Sequence, residues 1–151
     1  MTTASRMIFV NLPVEDVDRS KAFYEALGFV NEPKFTNDAA AAMVLSDTIV
    51  VMLLTRPFYS TFTSKPIADA HSSSEVLLCI SCDSPAEVDR ITDAAGAAGG
   101  NTDVSQEDQT KGGPMYGRDF EDPDGHQWAP MWMDPEFAEK GAHPVDGATV
   151  A

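Results

Sequence analysis

The chain has 151 residues, 43% of them hydrophobic, with 24 acidic and 10 basic residues giving a formal net charge of −14. That length suits one domain with a sizeable core or two small coupled halves. The acidic balance argues against nucleic acid, which needs a basic footprint, and no apolar run approaches the roughly 20 residues of a membrane helix.

The N-terminus, MTTASRMIFV, has no basic region followed by a longer apolar stretch. No signal peptide is read there, and the cytoplasm is the expected compartment. The acids are scattered, which fits solubility, and at long range they favour a cationic ligand.

Arg6 to Leu12 reads as a strand. Asp16 then stands where a helix N-cap accepts a backbone N–H. Val17, Ser20, Tyr24 and Leu27 repeat at helical spacing, Phe23 widens the stripe, and Gly28 stops it. Three strands are expected next. Phe29 to Thr36 is interrupted by Pro33 and reads as an edge. Ala40 to Leu45 and the strongly apolar Thr48 to Thr55 flank a tight turn at Ser46-Asp47. The first half, residues 1–55, is therefore β-α-β-β-β.

Residues 56–74 form a connection that is long for a small domain. Its aromatics, Phe58, Tyr59 and Phe62, either close over a pocket as a lid or plug the gap between the halves. Residues 75–134 repeat the first order. Glu75 to Ser81 is a strand. Ser84-Pro85-Ala86-Glu87 is a capping box with proline at the first helical position. Val88, Ile91, Ala94, Ala95 and Ala98 form the buried stripe, stopped by Gly99-Gly100. Asn101 to Gln109 is a weak edge strand. Asp122-Pro123-Asp124-Gly125 has the turn chemistry of a hairpin joining Tyr116 to Glu121 with Gln127 to Met133. Residues 135–151 read as a loosely held tail.

Side chains alternate along the last strand. Gln127, Ala129, Met131 and Met133 share one face; His126, Trp128, Pro130 and Trp132 share the other. The tryptophans are expected under a helix or at a subunit contact. Pro130 lacks a ladder donor and predicts a bulge or an exposed edge. Cys79 and Cys82 form a CxxC, but residues three apart on a strand diverge, so a structural role is expected. Val17-Asp18-Arg19 recurs as Val88-Asp89-Arg90, and the halves match in element order. The expected class is α+β: two tandem βαβββ modules forming a curved, mixed sheet around a cleft, each helix covering one sheet face.

Three motifs carry a family resemblance: Leu12-Pro13-Val14-x-Asp16 before the first helix, Phe23-Tyr24 with Leu27-Gly28-Phe29 at its end, and Asp122-Pro123-Asp124-Gly125 before the last strand. With these the chain resembles the vicinal oxygen chelate superfamily of glyoxalase I, extradiol dioxygenases, and bleomycin and fosfomycin resistance proteins. It is most similar to bacterial glyoxalase-like proteins described as predicted lyases. The resemblance implies a divalent metal held by His, Gln or Glu at four strand positions. Those positions fall on Phe9, on Val51 or Met52, on Val76 beside Glu75, and on Ala129. None of the four offers a charged oxygen or imidazole, so no metal cofactor is expected. His71, His126 and His143 do not rebuild the set.

What remains on the inferred concave face is Phe9, Val76, Leu78, Ala129 and Met131, with polar accents from Asn11 and Gln127. Such a wall suits a partly apolar organic ligand, with Phe58 and Tyr59 above it. Tyr116 and Arg118 share a face of the penultimate strand. If it meets the cleft, Arg118 pairs with a ligand carboxylate or phosphate; otherwise it is a surface arginine. The leading expectation is a metal-free homodimer binding a small organic molecule. The alternatives are a divalent-metal-dependent glyoxalase-like lyase or dioxygenase, and a structural protein with a filled cleft.

Overall fold

Each half of the chain builds one βαβββ unit from its own local signals. The computed structural model describes residues 5–105 and 113–141. Strand β1 (Ile8–Val14) leads to helix α1 (Val17–Ala26), whose N-terminus is capped by Asp16 accepting the Arg19 N–H at 3.0 Å. Gly28 at φ +105° lets the chain leave the helix in the left-handed region. Strands β2 (Val30–Glu32), β3 (Ala40–Ser46) and β4 (Ile49–Thr55) follow. The first sheet runs β1-β4-β3-β2, with β1 parallel to β4 and the other pairs antiparallel. The edge strand expected over Phe29 to Thr36 stops at Glu32, and Pro33 opens a single 3₁₀ turn, Pro33–Phe35.

In the second half, β5 (Leu78–Ser81) runs parallel to β9 (Gln127–Met133). The predicted start at Glu75 is too early. Leu78 pairs with Trp128, so residues before it run past the start of β9 into the turn and lose their partner. Helix α3 (Pro85–Ala97) opens on the predicted cap: Ser84 Oγ accepts the Glu87 N–H at 3.1 Å, and the Glu87 carboxylate accepts the Asp83 N–H at 2.8 Å. Strands β6 (Asn101–Thr102), β7 (Met115–Gly117) and β8 (Phe120–Glu121) complete the sheet β5-β9-β8-β6, with β7 also on β9. Residues 106–109 of the predicted edge strand lie outside the described residues.

Pro130 acts otherwise than predicted. It is buried in β9 and causes neither a bulge nor an open edge. Gly117 pairs with Met131 and Phe120 with Trp128, so the register is continuous. The ladder lapses between them because Pro130 has no N–H to give. Its carbonyl still accepts the Arg118 N–H at 3.2 Å. One predicted strand therefore appears as two, β7 and β8.

Two short helices were not expected. α2 (Arg56–Tyr59) is capped by Thr55 and α4 (Pro135–Lys140) by Asp134. Both caps precede a proline in the first helical turn, a start signal that was legible in the sequence. The expected loose tail is thus helical over its first residues, while 142–151, with His143, lie outside the described residues.

The helix-covered faces of the two sheets share one core. Leu12, Val14, Ala41, Met43, Val51 and Leu53 of the first module meet Val88, Ile91, Ala95, Phe120 and Trp128 of the second. α1 stands at the junction. The ring of Tyr24 lies edge-on to Trp128 at 5.9 Å and to Phe29 at 5.1 Å, and Phe120 stacks on Trp128 at 6.5 Å. The buried Tyr24 hydroxyl donates to Asp122 Oδ2 at 2.5 Å and accepts from Trp128 Nε1 at 3.0 Å. Asp122 Oδ1 accepts the Asp124 and His126 N–H groups at 2.9 Å each.

Tyr24→Phe removes a donor and an acceptor together, leaving Asp122 Oδ2 and Trp128 Nε1 short of a partner. Each buried orphan costs about 1–3 kcal/mol, so chemical denaturation should show a loss of at least about 1 kcal/mol with an unchanged m-value.

A second expectation concerns pH. Burial pushes the Asp122 carboxyl up from its ordinary range, against the lowering effects of His126 and of the Tyr24 hydrogen bond. The native state then keeps a proton that the unfolded chain releases, so this contribution is fully present below the unfolded value, roughly 3.9. It is lost as pH rises through the higher folded value. Stability measured against Asp122→Asn, which stays neutral, should fall across that window; a difference independent of pH would contradict the assignment.

Candidate functional site

Alternation along β1 and β9 decides which side chains leave the core. Val10, Leu12 and Val14 pack inward, so Phe9, Asn11 and Pro13 face the other way. Trp128 and Trp132 pack inward, as predicted for a position under a helix, so Gln127, Ala129 and Met131 take the opposite face. Leu78 is a correction. It pairs with Trp128 and packs against the core; Cys79 stands beside Ala129 on the open face.

Where the end of β1 and the start of β9 approach each other, a pocket of about 590 Å³ opens beneath the 56–76 segment. β1 contributes Asn11 and Pro13, the start of β9 contributes His126 and Gln127, and β8 contributes Glu121. Most of the remaining wall comes from the connecting segment: Tyr59, Lys65, Ile67, His71, Ser73, Glu75 and Val76. The frame is held in two places. His126 Nε2 donates to the Pro13 carbonyl at 2.7 Å, tying one module to the other. Gly125, at φ +91°, lies under the connecting segment, where a Cβ would come within 2.8 Å of the Ala70 carbonyl carbon and the His71 nitrogen.

Of the eleven predicted ligand-contacting residues, the structure brings Asn11, Tyr59, Val76, Leu78 and Gln127 to this pocket. Phe9, Ala129 and Met131 lie on the expected sheet face but outside its wall; Phe9 is 54% exposed. Phe58 packs edge-to-face on Phe62 at 5.1 Å instead of lining the pocket.

Tyr116 and Arg118 turn to the α3 side. The Tyr116 hydroxyl donates to Asp89 at 2.6 Å. Arg118 forms ion pairs with Asp89, Asp93 and Asp103 at 3.2, 3.0 and 2.8 Å, which push its guanidinium further above its ordinary range and hold the Asp103 carboxyl below its own. The cleft-facing alternative for Arg118 is therefore wrong. The pairing of Tyr116 with Trp132 puts both on the core side, because directly paired residues share a sheet face.

The positions where the resemblance places metal ligands do not fit a metal. Phe9 pairs with Val50, Met52 pairs with Asn11, Val51 points into the core, and Ala129 pairs with Cys79. None of these four residues, nor the exposed Val76, offers a carboxylate or imidazole. Among the described residues, no three His, Cys, Asp or Glu side chains are grouped to hold an ion. Cys79 is exposed and Cys82 buried, both unpaired, and burial pushes both thiols up, Cys82 to about 11. The CxxC diverges as expected.

Sequence reasoning missed Lys65, His71, Glu121 and the pocket role of His126. Three of these sit in irregular backbone, which carries no period to read. The signal for His126 was its place directly after the turn at Asp122.

Comparison with known proteins now bears on this geometry. A family profile described as bleomycin resistance protein-like N-terminal matches residues 6–44, from before β1 into β3. No curated protein matches the chain in sequence. Solved structures share the fold over most of the chain. A hypothetical protein from S. aureus superposes with a TM-score of 0.69 at 24% identity, covering 87% of this chain and 95% of its own. A glyoxalase/bleomycin resistance protein/dioxygenase family enzyme from Burkholderia phytofirmans PsJN gives 0.66 at 18% identity, covering 83% and 96%. Lactoylglutathione lyase from Agrobacterium tumefaciens gives 0.61 at 19% identity, covering 86% and 95%. The architecture is thus the glyoxalase/bleomycin resistance fold. This is the fold that the motif resemblance implied. At these identities the likeness speaks for fold and leaves the reaction open.

Gly125→Ala should force the connecting segment off the turn and strain the backbone at φ +91°. A stability loss of about 1 kcal/mol or more is expected, with faster amide exchange at residues 70–73. Unchanged exchange there would mean that the segment is not seated on Gly125.

Proposed function

We infer that this protein binds a small organic molecule in the pocket between its modules, without the metal used by enzymes of its superfamily. It is read as doing so in the cytoplasm as a homodimer. The observation that carries the reading is the pocket of about 590 Å³, walled by Pro13, Ile67, Val76 and Tyr59 with the Asn11 and Gln127 amides at its base. Size and lining match an organic ligand oriented by a few polar groups. The net charge of −14 favours a cationic molecule at long range. A dimer is supported by the apolar side chains exposed at the strand starts, Ile8, Phe9, Val76 and Leu77, each 53–62% accessible. Among the described residues, no helix is long and apolar enough to cross a membrane.

The test is elemental analysis of untagged protein, before and after incubation with nickel, zinc, manganese and iron followed by desalting, alongside a thermal-shift screen of organic ligands. The reading expects substoichiometric metal and a ligand that raises Tm, since a molecule binding only the folded form stabilises it. About one divalent ion per chain, with a chelator-sensitive lyase or dioxygenase activity, would overturn it. Sedimentation in the micromolar range should show two chains per particle.

A further inference from the structure

His126 enters the pocket wall with its tautomer already decided. Its Nε2 lies 2.7 Å from the Pro13 carbonyl oxygen. A carbonyl only accepts, so Nε2 carries the proton, and in the neutral ring Nδ1 bears a lone pair. Nδ1 makes no hydrogen bond to any described residue, while the Asp122, Asp124 and His126 backbone groups around it are occupied within the turn. The ring cannot swing away without breaking the contact between modules. An acceptor is thus held in a fixed orientation on a residue of the pocket wall, which also carries the apolar side chains of Pro13, Ile67, Val76 and Leu78.

We propose that His126 is the residue that selects this pocket's ligand, its Nδ1 accepting a hydrogen bond from an N–H or O–H group carried on a compact apolar or heteroaromatic frame. The proposal rests on the reading of the pocket as a binding site and deepens it by naming the ligand chemistry. A fixed acceptor discriminates strongly against the analogue that lacks the donor, because a lone pair covered by the bound analogue is then left unpaired. The titratable and charged groups around the ring are Asp122 and Asp124 in its own turn, Glu121 on β8, Glu15 after β1, and Lys65, His71 and Glu75 on the connecting segment.

The test uses two probes of nearly equal size, indole and N-methylindole, titrated into the full chain and followed by NMR. At about pH 8, where imidazoles are neutral, nitrogen-15 shifts should report the Nε2–H tautomer of His126. Indole should move the Asn11, Tyr59 and Gln127 resonances and bind about five- to tenfold more tightly than N-methylindole, the span of one neutral hydrogen bond. His126→Lys keeps an N–H donor for Pro13 but carries no acceptor; it should fold, bind both probes, and lose the preference. A role confined to joining the modules would leave the preference for indole absent from the wild type. Equal binding of the two probes at about pH 8, or an Nδ1–H tautomer, overturns the proposal alone. Failure of both probes to perturb the pocket resonances overturns this proposal and the pocket reading beneath it.

Discussion

One carboxyl group holds the two modules in a fixed relation. Asp122 is 2% exposed, and three donors converge on it: the Tyr24 hydroxyl from α1 and two N–H groups of its own turn. A buried carboxyl is tolerable only where its oxygens are satisfied, and here they are. Tyr24 passes the constraint on, since the oxygen that donates to Asp122 also accepts from Trp128. One bond chain thus fixes a helix of the first half, the turn, and the central strand of the second half. Asp124 completes the joint from outside. It accepts the Glu15 N–H at 2.8 Å and the Ser20 hydroxyl at 3.1 Å, placing negative charge at the N-terminus of α1, where the helix dipole favours it. Among the described residues, no buried side-chain nitrogen or oxygen lacks a partner.

The pocket inherits its shape from this joint. The residue after the turn's glycine is His126, and its bond to Pro13 places the start of β9 against the end of β1. The glycine itself gives the connecting segment a seat that no side chain would leave open. A change that loosened Asp122 would therefore move three parts of the wall at once, because turn, strand start and connecting segment share that anchor.

Much of this fold could be read from local pattern. The stripe of Val17, Ser20, Phe23, Tyr24 and Leu27 is buried as predicted, and the caps at Asp16 and Ser84 are made by the expected atoms. Alternation along β9 put Trp128 inside and Ala129 outside, as found. Two kinds of feature escaped. The first needs a partner strand to be known: β5 begins three residues late because β9 has not yet begun opposite the residues before it, and Pro130 splits its neighbour without shifting the register. The second needs long-range geometry. The turn sequence of residues 122–125 was legible, but the destinations of its two carboxylates, 98 and about 105 residues away along the chain, were not. The same limit hid the trio of aspartates that claims Arg118: two lie one helical turn apart on α3 and the third lies beyond it.

The site shows where this chain has put its chemistry. Regular strands present side chains at fixed intervals, so a metal site built on strands requires the right residue type at each ladder position. Here those places hold Phe9, Val51 or Met52, Val76 and Ala129, none of them a carboxylate or imidazole. The polar groups have moved to the rim: the ends of two strands, and a connection longer than the roughly 4–6 residues usual between elements. Irregular backbone can exchange side chains without breaking a ladder, which is why loops carried on a rigid scaffold so often hold the recognition groups. His126 stands at the boundary between the two regimes. Its backbone belongs to the turn that fixes the fold, and its ring belongs to the pocket, so its orientation is as rigid as the joint that holds the modules together.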